Sequence, residues 1–287
     1  MTVLYRGYTQ EELDRQYDNS RAVPDHERFF TLYRELSERA RRELPCRLDV
    51  AYGTSSMEKL DIFPSGKADA PTWIFVHGGY WRRLDKGDFS FAADPFTSAG
   101  VSYISVNYAL APNVSVAEIA RQVRAATRWA IEHAEEWQGD PERVFIGGHS
   151  VGGQLAALAA VTEPVQGLTS VSGLGDLEPV RLSYANEWAR LARDDVVPLS
   201  PIYQIPEHEL PLIACAGAKE TDEFRRQTAI LADAWRARGY PVEESYIEGE
   251  DHFSIALELH DSSSPLTKAI LAQCFGRTQT ADSQAPA

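Results

Sequence analysis

The residues best suited to chemistry are Gly148-His149-Ser150-Val151-Gly152, which fit G-x-S-x-G. RVFIGG precedes them as a strand, and QLAALAAV follows as a helix. A turn this sharp crowds the backbone, and residues without a Cβ avoid the clash. Such a turn lifts the Ser150 hydroxyl above the carboxyl end of a sheet, and the helix that follows aims free N–H groups at the same point. The chemistry expected is attack by Ser150 on an acyl carbon. The oxygen of that acyl group then becomes negative and needs donors. His77-Gly78-Gly79-Tyr80-Trp81 follows the strand WIFV, and its glycines let the backbone approach a substrate. The oxyanion hole is assigned to the N–H groups of Gly79 and Tyr80, joined by Val151; each such donor contributes roughly 3–4 kcal/mol. His77 is read as orienting the loop, without titrating in catalysis.

Ser150 needs a base. With the chain order serine, acid, histidine, five of the seven histidines are too early, which leaves His252 and His260. His252 stands in EGEDHF, directly after the strand PVEESYIEG, where a loop can reach the serine. His260 ends a helix-like stretch and is expected on the surface. The acid should follow the strand LPLIACAG. Glu220 lies three residues beyond Gly217 and is favoured. Asp222 and Glu223 read as acids at the start of the next helix, where the dipole favours them. Asp251 is expected to be a solvated loop charge. No His, Asp and Cys cluster points to a metal, and this set requires neither metal nor cofactor.

These groups need a scaffold. CRLDVAYG and EKLDIFPSG read as two strands around a turn. Then PTWIFVHGG, VSYISVNYAL, RVFIGGHS, QGLTSVSG, LPLIACAG and PVEESYIEG alternate with helix-like stretches, as strands buried on both faces do. Val116, Ile119, Val123, Ala126, Ala130, Ala134 and Trp137 form a helical stripe, with Ser115 and Glu118 at capping-box spacing. Thr9 caps a helix near the start. The expected fold is α/β, of the α/β-hydrolase type: a mostly parallel sheet flanked by helices, with a small cap from the N-terminal segment and residues 178–208. One domain is expected over 1–275, and a disordered tail over 276–287.

The 287 residues carry a net charge of −14, which disfavours nucleic acid and anionic membrane as partners. Cys46, Cys215 and Cys274 show no metal spacing and favour a reducing compartment. The N-terminus lacks an apolar core of the signal-peptide kind, and no stretch is long and apolar enough to span a bilayer. A cytoplasmic protein is expected. A homodimer is compatible with the sequence.

HGGYW, GHSVGG, GAKETDEFRRQ, EDHF and the N-terminal QYDNSRAVPD together resemble the kynurenine formamidase (arylformamidase) branch of α/β hydrolases, from about Tyr5 to Phe275. HGG-x-W is the distinguishing piece, since the related lipase–esterase branch usually carries a third glycine where Tyr80 stands. The resemblance places the family's acid on Glu220. Val151 departs from the common alanine, and its larger side chain would narrow the pocket. The activity implied is hydrolysis of N-formyl-L-kynurenine to L-kynurenine and formate, with Tyr80 and Trp81 stacking on the substrate's ring. The substrate expected from the resemblance is thus a small aromatic amide or ester. Two other readings stand beside it: a carboxylesterase or amidase with the same residues and a different pocket, and a binding module on an inactive scaffold. The intact serine, acid and histidine speak against the last.

Overall fold

The computed structural model describes residues 2–276; residues 277–287, nearly all of the expected tail, lie outside them. Eight strands form one sheet: β1 (Arg47–Ala51), β2 (Lys59–Phe63), β3 (Ala70–Val76), β4 (Ser102–Val106), β5 (Gly139–His149), β6 (Leu168–Val171), β7 (Leu212–Gly217) and β8 (Val242–Ile247). Their spatial order is β1-β2-β4-β3-β5-β6-β7-β8. β1 and β2 are antiparallel to their neighbours, and every pair from β4 through β8 is parallel. The fold is that of an α/β hydrolase.

Side chains alternate across a strand, so a strand buried on both faces feeds two cores. In β3, Ile74 and Val76 join a core with the helices Val116–Glu132, Val151–Ala160 and Asp222–Ala237. Trp73 and Phe75 join the opposite core with the helices Glu27–Glu43 and Pro265–Cys274. β8 departs from the expected two-sided burial: it is the edge of the sheet, half-buried, with Tyr246 exposed. Its polar Glu243, Glu244 and Ser245 and its exposed Tyr246 suit a strand at the edge of the sheet, which meets water.

Ser115 caps its helix by accepting from the Glu118 N–H, but the reciprocal half of the box is missing, because Glu118 holds Arg121 and Gln122 instead. At the N-terminus both halves form, between Thr9 and Glu12. The helix Gln10–Tyr17 docks onto residues 178–208. Gln10 donates to the Leu182 carbonyl at 2.9 Å, and the Tyr184 N–H donates to Asp14 at 2.7 Å. The two segments together cap the carboxyl end of the sheet.

The tightest packing in the fold lies at the turn from β5 into the helix Val151–Ala160. A Cβ on Gly152 would sit 2.0 Å from the Val76 carbonyl oxygen of β3, and one on Gly148 would sit 2.3 Å from the Gly152 oxygen. Both obstacles are backbone, which cannot swing aside. Gly152→Ala sets two effects against each other. Helix propensity alone favours alanine by about 1 kcal/mol. Overpacking against rigid backbone costs about 3 kcal/mol or more, and should win. Urea unfolding of Gly152→Ala should therefore show a loss of about 2 kcal/mol or more; a gain in stability would contradict this account of the turn.

Candidate active site

Each strand from β3 to β8 delivers part of the site at its carboxyl end, where loops of a parallel sheet converge. Ser150 stands between β5 and the helix it starts, with φ 58° and ψ −127°. That region is strained for a residue with a side chain and costs on the order of 1–3 kcal/mol. The Ser150 N–H donates to the Val171 carbonyl at 2.8 Å, which ties the turn to β6. His252, in the loop after β8, brings Nε2 to 3.1 Å from Ser150 Oγ. Its Nδ1 lies 2.7 Å from Glu220 Oε2, so Nδ1 donates and Nε2 turns its lone pair to the serine. All three residues are buried.

A buried carboxylate must have its oxygens satisfied. Glu220 Oε1 accepts from Ser172 Oγ at 2.5 Å and from the Gly217 N–H at 2.7 Å, while Oε2 takes the imidazole. Ser172 carries no motif that marks it in the sequence; its only signal is a serine near the end of the run QGLTSVSG, directly after β6. Asp222 is excluded from this position. It is exposed and pairs with Arg225 one turn along its own helix. Glu223 stands in the first turn of the helix Asp222–Ala237, as expected, and it is also buried: it holds Arg226 at 2.7 Å and accepts from the Tyr17 hydroxyl at 2.9 Å. Asp251 is likewise structural, accepting from the N–H groups of Phe253 at 2.8 Å and Ser254 at 2.9 Å, which shapes the turn that carries His252. His260 is half-buried against the Phe91 carbonyl at 2.9 Å, remote from the serine's partners.

The loop after β3 is wound tightly. Gly79, Tyr80 and Trp81 have φ of 104°, 52° and 58°, and the N–H groups of Arg82 and Arg83 both donate to the Gly79 carbonyl at 3.1 Å. The N–H groups of Gly79, Tyr80 and Val151 donate to no group among the described residues. His77 braces the loop: its Nδ1 lies 2.8 Å from the Gly78 carbonyl, and its ring stacks on Tyr108 at 4.2 Å. Burial pushes its pKa down.

Two side-chain expectations for this region need correction. Trp81 does not face substrate. The positive φ turns it under the loop into the core, where its indole donates to Gln154 Oε1 at 3.2 Å. The Val151 side chain is also fully buried, on the core side of its helix, so it does not narrow the pocket. Tyr80 does line the cleft, but its hydroxyl is committed to the Tyr17 carbonyl at 2.5 Å. The cleft has about 530 Å³ of open space, including its mouth, and reaches Ser150 and His252. Asn19, Ser20, Phe30 and Tyr184 bring the N-terminal segment and the 178–208 segment to its wall. The N-terminal tyrosines Tyr5, Tyr8 and Tyr17 do not line it.

His149, beside the serine, has a role that the motif did not reveal. Its Nε2 lies 2.8 Å from the His252 carbonyl and donates to it, which holds the base's backbone against the turn. Burial, helped by the nearby His252, lowers the His149 pKa to about 3. The unfolded chain takes up this proton near pH 6.5, the folded chain only near 3. Between those values the unfolded state binds more protons, so stability is lost as pH falls, at up to about 1.4 kcal/mol per pH unit. His149→Gln keeps an N–H donor and removes the titration. Urea unfolding between pH 6.5 and 4 should show a slope shallower by about 1 kcal/mol per pH unit in this variant; equal slopes would mean that His149 titrates normally.

Comparison with known proteins gives a consistent result. The BD-FAE family model matches residues 60–177. The kynurenine formamidase of Danio rerio is 29% identical over 93% of this chain and 97% of its own length, and that of Salmo salar is 28% identical over 93% and 97%. Among solved structures, a Silicibacter protein described as a candidate thioesterase superposes with a TM-score of 0.82 at 26% identity, over 90% of this chain and 98% of its own. A carboxylesterase from a metagenomic library shares the fold, with a TM-score of 0.68 at 17% identity over 95% of this chain and 98% of its own. No helix among the described residues is long and apolar enough to cross a membrane. The chain is an α/β-hydrolase enzyme, similar to the kynurenine formamidases.

Proposed function

We propose that the chain is a serine hydrolase that cleaves an aryl formamide, N-formyl-L-kynurenine being the foremost substrate, to L-kynurenine and formate. The observation that carries the reading is the continuous relay from Ser150 Oγ through His252 to Glu220, at a cleft lined by Gly79 and Tyr80, whose N–H groups, like that of Val151, are unengaged among the described residues. The similarity to kynurenine formamidases over nearly the whole chain supports the substrate.

In this mechanism Ser150 Oγ attacks the formyl carbon while its proton passes to His252 Nε2. The carbonyl oxygen becomes an oxyanion and accepts from the N–H groups of Gly79, Tyr80 and Val151. These donors are already fixed by the wound loop and by the first turn of the helix, so little reorganisation is needed. Glu220 stabilises the imidazolium and keeps its Nδ1 proton in place. His252 then protonates the aniline nitrogen, the C–N bond breaks, and L-kynurenine leaves. Water enters, gives its proton to His252 and attacks the formyl-enzyme; formate departs and Ser150 regains its proton. The formyl carbon is the least hindered acyl carbon, which suits a nucleophile that is nearly fully buried. A carboxylesterase or amidase acting on another small acyl substrate is the second reading, favoured by the esterase and thioesterase descriptions of the structural neighbours.

Ser150→Ala should retain its fold and lose turnover by on the order of 10⁶. Glu220→Gln should lose on the order of 10⁴, while Asp222→Asn stays within about threefold, since Asp222 is an exposed ion-pair partner. Comparable losses at Glu220 and Asp222 would reject the assigned acid. Substrate class is read by comparing kcat/KM for formanilide and acetanilide, which share a leaving group, alongside N-formyl-L-kynurenine. Preference for formyl together with hydrolysis of N-formyl-L-kynurenine is the expected result. Absence of both would hand the assignment to the esterase or amidase reading.

A further inference from the structure

The cleft carries more donors than the reaction uses. Arg82 and Arg83 line it, on the same tight turn that exposes the N–H groups of Gly79 and Tyr80. In a chain of net charge −14, two adjacent guanidinium groups would be expected to find acidic partners. Among the described residues neither forms a hydrogen bond or an ion pair through its side chain. Arg82 instead lies over the Trp188 ring at 3.7 Å, and Arg83 over the Phe30 ring at 5.1 Å. Arg83 is half-buried, and its Nε is fully buried with no acceptor. Burial and the neighbouring Arg82 both act against its charge. Glu27 is the acid whose field reaches Arg83, but its carboxylate is largely exposed and sits 3.3 Å from His26. The same wall holds Asn19, 4% exposed, whose Nδ2 also lacks an acceptor.

Leaving a buried donor unpaired costs roughly 1–3 kcal/mol, and more for a charged group. Two such donors on one cleft, beside a second free guanidinium, form an arrangement that an anionic, planar acceptor completes. A carboxylate fits best: its two oxygens match the fork of a guanidinium, and a side-chain amide can add a third bond. The aromatic rings of Trp188 and Phe30 lie under the guanidiniums, which restricts them before binding and reduces the entropy lost.

We propose that Arg82, Arg83 and Asn19 form a carboxylate-binding subsite that recognises the acid group of the substrate's leaving portion. The proposal builds on the hydrolase reading above and narrows it to substrates whose leaving group is an acid. Because the guanidiniums and the oxyanion donors share one turn, anchoring the carboxylate also fixes the register of the scissile bond against Ser150. The role is one of specificity, separate from bond breaking.

The test uses binding, so it does not depend on which bond the enzyme cleaves. L-Kynurenine and L-kynurenine amide differ by one carboxylate and are titrated calorimetrically into the wild-type chain. The acid should bind roughly 10- to 100-fold more tightly than the amide, the range of a charged hydrogen bond. In Arg83→Gln the ratio should fall several-fold. In the double variant Arg82→Gln/Arg83→Gln it should approach one, and Arg83→Lys should restore part of it. Equal binding of acid and amide by the wild type, no detectable binding of the acid, or a preference that survives the double variant would each overturn the subsite. A clear acid preference in a chain that does not hydrolyse N-formyl-L-kynurenine would leave the subsite standing and remove the formamidase reading alone.

Discussion

The site depends first on a close approach between two pieces of backbone. The helix Val151–Ala160 starts so near β3 that only hydrogen atoms fit between Gly152 and the Val76 carbonyl, and Gly148 must also lack a side chain to let the turn close. Once those contacts are made, Ser150 has no relaxed conformation left, and its φ is forced positive. The same contacts place the Val151 N–H within the first turn of a helix, where no partner is available inside the fold. The position of Ser150, the proposed nucleophile, and of the Val151 N–H, a proposed oxyanion donor, thus come from the same steric constraint. Strain at Ser150 is offset by packing elsewhere, chiefly in the two cores that clamp β3 and β5 from both faces.

The second requirement is electrostatic. A carboxylate as deeply buried as Glu220 is costly unless fully engaged, and here it accepts three hydrogen bonds from three different strand ends. Ser172 reports the end of β6, Gly217 the end of β7, and His252 the loop after β8. The acid therefore works as a gauge of sheet assembly. It is satisfied only when three neighbouring strands are in register. His149 adds a link from the β5 turn to the backbone of His252, so that residue, the proposed base, is held both by its ring and by its carbonyl.

Much of this was legible in the chain. Six runs read as strands buried on both faces, which leave a continuous hydrophobic mark, and two more strands read from the turn between CRLDVAYG and EKLDIFPSG. The edge strand β8 was located but misjudged in its burial, since its loop placement mattered more to the reading than its polar residues. Residues that converge on Ser150 could be ordered because chain order is a one-dimensional property. Orientation is not. Trp81 and Val151 carry side chains suited to a pocket, yet the first is turned inward by a positive φ and the second by its helical phase. Neither rotation is written in residue type. Asp251 reads as a solvated charge and Glu223 as a helix-start acid, and only three dimensions reveal the N–H groups and the Arg226 that hold them.

The hydrogen bond from Tyr17 to Glu223 spans 206 positions of sequence, and Tyr80 reaches back to the Tyr17 carbonyl across 63. The wall of the cleft is therefore closed by the beginning of the chain folding back onto a helix near its end. Loop closure of that size is slow, and contacts so distant in sequence form after local ones. During synthesis the first helix emerges long before β7 and the helix it seats on exist. The cleft beside Ser150 is complete only when residues 5–20 meet the helix Asp222–Ala237.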